Sequence, residues 1–168
     1  MKDLLFRTLR HEETERAPWV PFAGVHAGKL KGYDATEMVT DADKAFGSLM
    51  EVNRLYKPDG QPVIFDLQIE AECLGCELTW AKDCPPSVSK HPLDGSDEEP
   101  PVTPCDCTIP TKESGRIPYV LDVMTRMKKA VGDTTALYGL ICGPFTLASH
   151  LRGNNLFTDM FDFEEETA

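Results

Sequence analysis

Four places in this chain hold residues whose types and spacing could do chemistry. Asp66 follows the apolar run Val63-Ile64-Phe65 in "QPVIFDLQIE". A carboxylate at the end of an apolar strand must be paired, hydrated or used. It is the best catalytic candidate in the chain; the plain alternative is a capping or turn Asp. His26 and Lys29 lie in "GVHAGK", a Gly-containing loop expected after an earlier strand. The segment lacks the spacing and the Lys-Ser/Thr ending of a phosphate-cradling loop. It reads as a ligand-contacting loop or as an ordinary connection. Gly143, Pro144 and Phe145, in "CGPFT", close a third apolar run and begin a helix. Gly143 would allow a tight turn or a close ligand approach. Pro144 suits a first helical turn, where no N–H is needed. The free N–H groups of that turn favour negative charge beside them. His150 lies further along the same helix, either facing a ligand or as a plain surface or core His.

The cysteines form a separate question. Cys73 and Cys76 have C-x-x-C spacing, Cys84 stands alone, and Cys105 and Cys107 are one residue apart. The second pair departs from zinc-ribbon spacing. Separate reduced thiols are the better reading than a structural metal. A redox role for Cys73 and Cys76 is disfavoured, because no helix start follows a strand there. No metal ligand is assigned.

These residues need elements to position them. "DLLFRTLR" has Leu4, Leu5 and Leu9 at helical spacing. A short strand is expected over Trp19, Val20 and Phe22, ending at Gly24, with Pro18 and Pro21 barring an interior antiparallel position. Asp41 can cap a helix whose stripe is Ala42, Ala45, Phe46, Leu49 and Met50, continued by Tyr56. Val63 to Phe65 suit a strand buried on both faces. Leu78 to Trp80 suggest a short strand or hairpin arm. Residues 82–118 are rich in Pro and charge and read as a long excursion. "YVLDVMTRMKKAVG" is a helix with Val120, Met124, Met127 and Val131 on one face and a stop at Gly132. "TALYGLIC" is a third buried strand, "PFTLASHLRG" a helix, and "NNLFTDMF" the start of another. Buried strands alternating with helices indicate parallel βα units, an α/β fold. Ligands of such folds bind beyond the carboxyl ends of the strands, which selects "AGVHAGK", "DLQIEAE", "WAKDCPPS" and "CGPFT".

Composition narrows the function classes. The chain has 168 residues, with 17 Lys+Arg against 28 Asp+Glu and a net charge of -11. That balance argues against nucleic acid and anionic membrane as partners. No apolar run approaches the roughly 20 residues of a membrane span, and no signal peptide opens the chain. A cytoplasmic location with reduced thiols is expected.

The segments "RTLRHEETERAPWVPF", "VIFDLQIEAECLGCEL", "PPSVSKHPL", "GRIPYVLDVMTRMKKAVGD" and "GLICGPFTLASHL" resemble, in that order, the uroporphyrinogen decarboxylase superfamily. That superfamily includes the corrinoid-dependent methyltransferases of the methylcobalamin:coenzyme M type. The resemblance runs from about Leu5 to Phe161, and "GPFTLAS" with "GRIP…K…VGD" is its most specific part. It implies a (β/α)8 TIM barrel with its site at the carboxyl mouth of the strands. A barrel of that kind needs roughly 250 residues or more, so an incomplete N-terminal half of a single barrel domain over 1–168 is expected, either a fragment or a half-barrel that pairs with another chain.

The resemblance also divides two activities. The decarboxylases carry Arg residues after the first strand that meet substrate carboxylates, since guanidinium forks pair well with carboxylates. This chain has "FAGVHAGKL" there, without Arg. Asp66 matches the strand-end Asp that faces pyrrole nitrogens in the decarboxylases, and His150 resembles the position of their active-site Tyr. "GCELTWAKDCPPSV" and "GPFTLAS" resemble the methyltransferase branch more. That branch implies a corrinoid (methylcobalamin) and a zinc ion that activates a thiol, with zinc ligands in a half of the barrel outside this chain. A tetrapyrrole ligand, a corrinoid protein and a further copy of the chain are the expected partners. The expected function is methyl transfer from a methylated corrinoid to a thiol. The alternatives are porphyrinogen decarboxylation in porphyrin and heme synthesis, and a non-catalytic tetrapyrrole-binding half-barrel.

Overall fold

The structure, a computed structural model, describes residues 1–95 and 109–162. The elements run α1 (Lys2–Leu9), α2 (His26–Lys29), α3 (Ala35–Thr40), α4 (Ala42–Tyr56), β1 (Gly60–Pro62), α5 (Ile69–Cys73), β2 (Glu77–Thr79), β3 (Ser87–Lys90), α6 (Ile117–Val131), β4 (Ala136–Tyr138), α7 (Pro144–Arg152) and α8 (Asn155–Asp162). β1 and β4 pair in parallel, Gly60 opposite Ala136 and Pro62 opposite Tyr138, and β2 and β3 form an antiparallel hairpin. The α/β reading holds, and one parallel βα pair is present. Among the described residues the sheets have two strands each, and no closed barrel forms.

Local signals explain most boundaries. Asp34 accepts from Glu37 N while Glu37 bonds back to Asp34 N, a reciprocal cap that starts α3. That D-x-x-E pattern was legible, yet the sequence reading assigned nothing to it. Asp41 caps α4 as expected, accepting from Asp43 N and Lys44 N. α4 ends on left-handed Lys57 ahead of Pro58. Pro118 and Pro144 sit in the first turns of α6 and α7.

The first strand does not form. Residues 17–23 belong to no helix and no ladder. Pro18 and Pro21 have no N–H to give, so pairing is reduced to Trp19 O, which accepts from Asp59 N at 2.9 Å. The β1 ladder lies upstream of the expected run: Val63 adds one more bond, from its N–H to Tyr138 O, and Ile64 and Phe65 lie past it. Gly60 packs closely, since a Cβ there would stand 2.7 Å from Leu5 Cδ2 of α1 and make that side chain shift. The third apolar run is not buried on both faces. Leu137 and Tyr138 are half-buried, and Ile141 is 82% exposed.

The main core packs α4 on α6, with α2 and α3 beside α4. Ala45, Leu49 and Val52 of α4 meet Val123, Met127 and Val131 of α6 over Val63 and Ile64. The buried face of α6 therefore centres on Val123; Val120 and Met124 flank it. One buried polar side chain in this core is paired through both its oxygen and its nitrogen. Gln61 accepts from Asn53 Nδ2 at 3.1 Å and donates to Leu49 O at 3.0 Å. A second, smaller cluster of Ala71, Cys76 and Leu151 joins α5, the hairpin and α7.

Candidate functional site

The carboxyl ends of β1 and β4 open onto a cleft of about 260 Å³. Ile64, Ile69, Ile117, Val120 and Met124 give it apolar walls, and Asp66 and Glu70 are its acids. Gly139, Leu140 and Ile141 complete it from the end of β4. Asp66 and Glu70 both come from the turn and short helix after β1, and one backbone segment thus sets both carboxylates.

Asp66 is 3% exposed and is not free. Its Oδ2 accepts from Arg116 Nη1 at 2.5 Å, and its Oδ1 accepts from Gln68 N at 2.9 Å. Arg116 is the residue just before α6, and its side chain ties several elements together. Its Nε donates to Glu72 at 2.6 Å and its Nη1 to Val39 O at 3.1 Å. Its guanidinium lies 4.9 Å from the ring centre of Trp80 on the hairpin. Burial works against the guanidinium charge, but Asp66 and Glu72 outweigh it and hold its pKa above the ordinary value. Arg116 was missed in the sequence. It lies at the edge of the Pro-rich excursion, with no periodicity to mark it.

Glu70 has a different environment. Its Oε1 accepts from Cys142 N at 3.2 Å, linking α5 to the loop before α7. Burial, with Glu70's charge added, pushes the Cys142 thiol up.

The remaining sequence candidates are scattered. His26 lies on α2, a short helix rather than the expected loop, and its Nε2 is 2.7 Å from Tyr56 Oη. Lys29 faces Asp83 at 3.8 Å and is exposed. Neither lines the cleft. Gly143 caps α7 with φ -65° and nothing within 4 Å of a Cβ placed on it, so neither a special turn nor a close approach requires glycine there. Phe145 is 55% exposed and meets Phe157 edge-on at 6.0 Å. His150 turns toward the hairpin side, where its carbonyl accepts from His91 Nδ1 at 2.7 Å and from the Cys76 thiol at 3.2 Å. Burial first, then His91, lowers its pKa. Cys73 and Cys76 bond to different carbonyls, Ser114 O and His150 O. Cys84 is exposed, and Cys105 and Cys107 lie outside the described residues. No described helix is long and apolar enough to cross a membrane.

The cleft thus lies at the carboxyl ends of a parallel βα pair, with a paired Asp, a second carboxylate and a Pro-started helix around it. The chain belongs to the uroporphyrinogen decarboxylase (URO-D) family, whose pattern it matches over residues 1–167. It is 28% identical over 169 residues to methylcobamide:CoM methyltransferase MtbA of Methanosarcina acetivorans, covering 98% of this chain and 48% of that protein. It is 36% identical over 97 residues to a methylated-thiol–coenzyme M methyltransferase of Methanosarcina mazei, covering 53% of this chain and 23% of that one. It is also 25% identical over 155 residues to a uroporphyrinogen decarboxylase of Synechococcus, covering 88% of this chain and 42% of the relative. A solved methyltransferase from Methanosarcina mazei superposes with a TM-score of 0.82 at 22% identity, over 99% of this chain and 49% of that one, and shows the fold. The chain thus spans about half the length of MtbA and of that structure.

Proposed function

We propose that the protein carrying this chain is a corrinoid-dependent methyltransferase, moving a methyl group from a methylated corrinoid to a thiol. The charge of the strand-end cleft carries this reading. Its lining is apolar except for Asp66 and Glu70, with no Lys or Arg among the described residues. The sequence from Ala17 to Tyr33 also lacks Arg, and Lys29 in it faces Asp83. A polyacidic porphyrinogen would set carboxylate against carboxylate, which is unfavourable without a cation between them. A corrinoid bears amide side chains and meets no such conflict. The similarity to MtbA across 98% of the chain supports the same choice.

The described residues fit one wall of a macrocycle site: Ile64, Ile69 and Ile117 give it an apolar surface, and Arg116 fixes Asp66 at its floor. The corrinoid, when bound, would supply the methyl group. Zinc does not fit these residues in the same way. Among the described residues no group of three His, Cys, Asp or Glu side chains is placed to hold a metal ion, and no step is drawn through one.

Uroporphyrinogen decarboxylase is the second reading, favoured by the strand-end position of Asp66. It is weakened because both Asp66 oxygens are already engaged. The test is to mix the intact native protein with methylcobalamin and 2-mercaptoethanesulfonate and follow the cobalamin spectrum. Thiol-dependent loss of the methyl group is expected. An unchanged spectrum with an active, folded protein would sink the reading.

A further inference from the structure

The sequence singled out Asp66 as the acid of the site, but the geometry points to Glu70 as the residue that selects the ligand. We infer that Glu70 discriminates amide-bearing macrocycles from carboxylate-bearing ones; this rests on the reading of the cleft as a corrinoid wall. The two acids lining the cleft differ in what they have left to offer. Both Asp66 oxygens are committed, one to Arg116 at 2.5 Å and one to Gln68 N at 2.9 Å. Glu70 commits only Oε1, to Cys142 N at 3.2 Å, and its Oε2 has no hydrogen-bond partner among the described residues. Glu70 is half-buried and lines the cleft with Ile64, Ile69 and Ile141; among the described residues no Lys or Arg lines it, and Arg116 is committed to Asp66 and Glu72.

A carboxylate oxygen in that setting recognises an N–H donor strongly, because the acceptor is charged and its surroundings are apolar. The primary amides around a corrin ring are donors of that kind. The same oxygen repels a carboxylate side chain, and no Lys or Arg among the described lining residues stands between the two. One residue therefore gives both an attractive and a repulsive element, which is how specificity between similar ligands is achieved. The Cys142 bond holds Glu70 to the loop before α7, so its position is set by two strand ends together.

Two probes with one ring separate the effect of charge from that of shape: dicyanocobinamide, with amide side chains, and dicyanocobyrinic acid, with carboxylates. Binding to the intact native protein is measured by absorbance titration. The native protein is expected to prefer the amide ring by about tenfold or more, a difference of about 1.4 kcal/mol. Glu70→Gln is matched in size and keeps an oxygen for Cys142 N–H, so its fold is retained. It is expected to narrow the preference several-fold, and Glu70→Lys to reverse it. An unchanged preference in Glu70→Gln, with the amide ring still bound, overturns the assignment of Glu70 alone. Binding of neither ring by the native protein overturns this inference and the methyltransferase reading together.

Discussion

Asp66 and Arg116 form the tightest buried ion pair at the strand-end mouth, 2.5 Å apart with the Asp66 side chain fully enclosed. The pair joins the turn between β1 and α5 to the residue before α6, across 50 positions of sequence. A buried pair of this kind adds little over an apolar replacement, but breaking it by removing one partner is costly.

Arg116→Met leaves Asp66 buried without its cation. Stability is expected to fall by about 3–5 kcal/mol. Urea unfolding followed by circular dichroism measures it. The double variant with Asp66→Asn is expected to recover part of the loss, because the two sites share one interaction. Equal stability of Arg116→Met and the parent would show that the pair carries no such role.

Acid should weaken the fold through Asp59. The Arg16 guanidinium bonds both oxygens of this carboxylate, at 2.6 and 2.9 Å, and holds its pKa below the ordinary 3.8. A lowered folded-state pKa means stability that is fully present above the ordinary value and is lost as pH falls through the folded one. Unfolding free energy measured from pH 5 downward should therefore fall, and Asp59→Asn should flatten this acid limb. Persistence of the full slope in that variant would assign the acid loss to other groups.

The sequence made the βα order legible because helix stripes and caps are local. Asp41, Pro144 and the apolar run of α4 announce their elements within a few residues. The first strand was misread because hydrophobicity at Trp19, Val20 and Phe22 looks the same whether or not Pro18 and Pro21 permit a ladder. The site was only half legible for a related reason. A strand-end Asp is visible in one segment, but its partner Arg116 comes from a distant one, and no spacing rule joins them. Glu70 was passed over because one acid among Glu70 and Glu72 on a short helix has no pattern to mark it. Gly143 misled in the opposite direction, since Gly-Pro suggested a special turn where the backbone is ordinary.

The two loop glycines around α7 should separate accordingly. Gly143→Ala is expected within about 0.5 kcal/mol of the parent, because its φ is -65° and the space is open. Gly153 has φ +67°, and a Cβ there would stand 2.9 Å from His91 Cδ2. Gly153→Ala is expected to cost about 1–3 kcal/mol. Thermal unfolding of both variants checks the contrast, and equal losses would contradict it.

The cysteines should alkylate in a fixed order. Cys84 is exposed, whereas burial pushes the Cys76 thiol up to about 11 and its Sγ donates to His150 O at 3.2 Å. Iodoacetamide at pH 8, read by peptide mass spectrometry, should label Cys84 first and Cys76 last among the described cysteines. Early labelling of Cys76 would place it outside the cluster with Ala71 and Leu151.

The central claim is the choice between methyl transfer and decarboxylation within one family. The direct measurement assays both activities in one preparation of the intact native protein: thiol methylation from methylcobalamin, and carboxylate loss from uroporphyrinogen. A mouth whose Arg116 is already bound to Asp66 and Glu72, with no Lys or Arg in the described cleft lining, is expected to give methylated thiol and no decarboxylated porphyrinogen. Porphyrinogen turnover without thiol methylation would contradict the account.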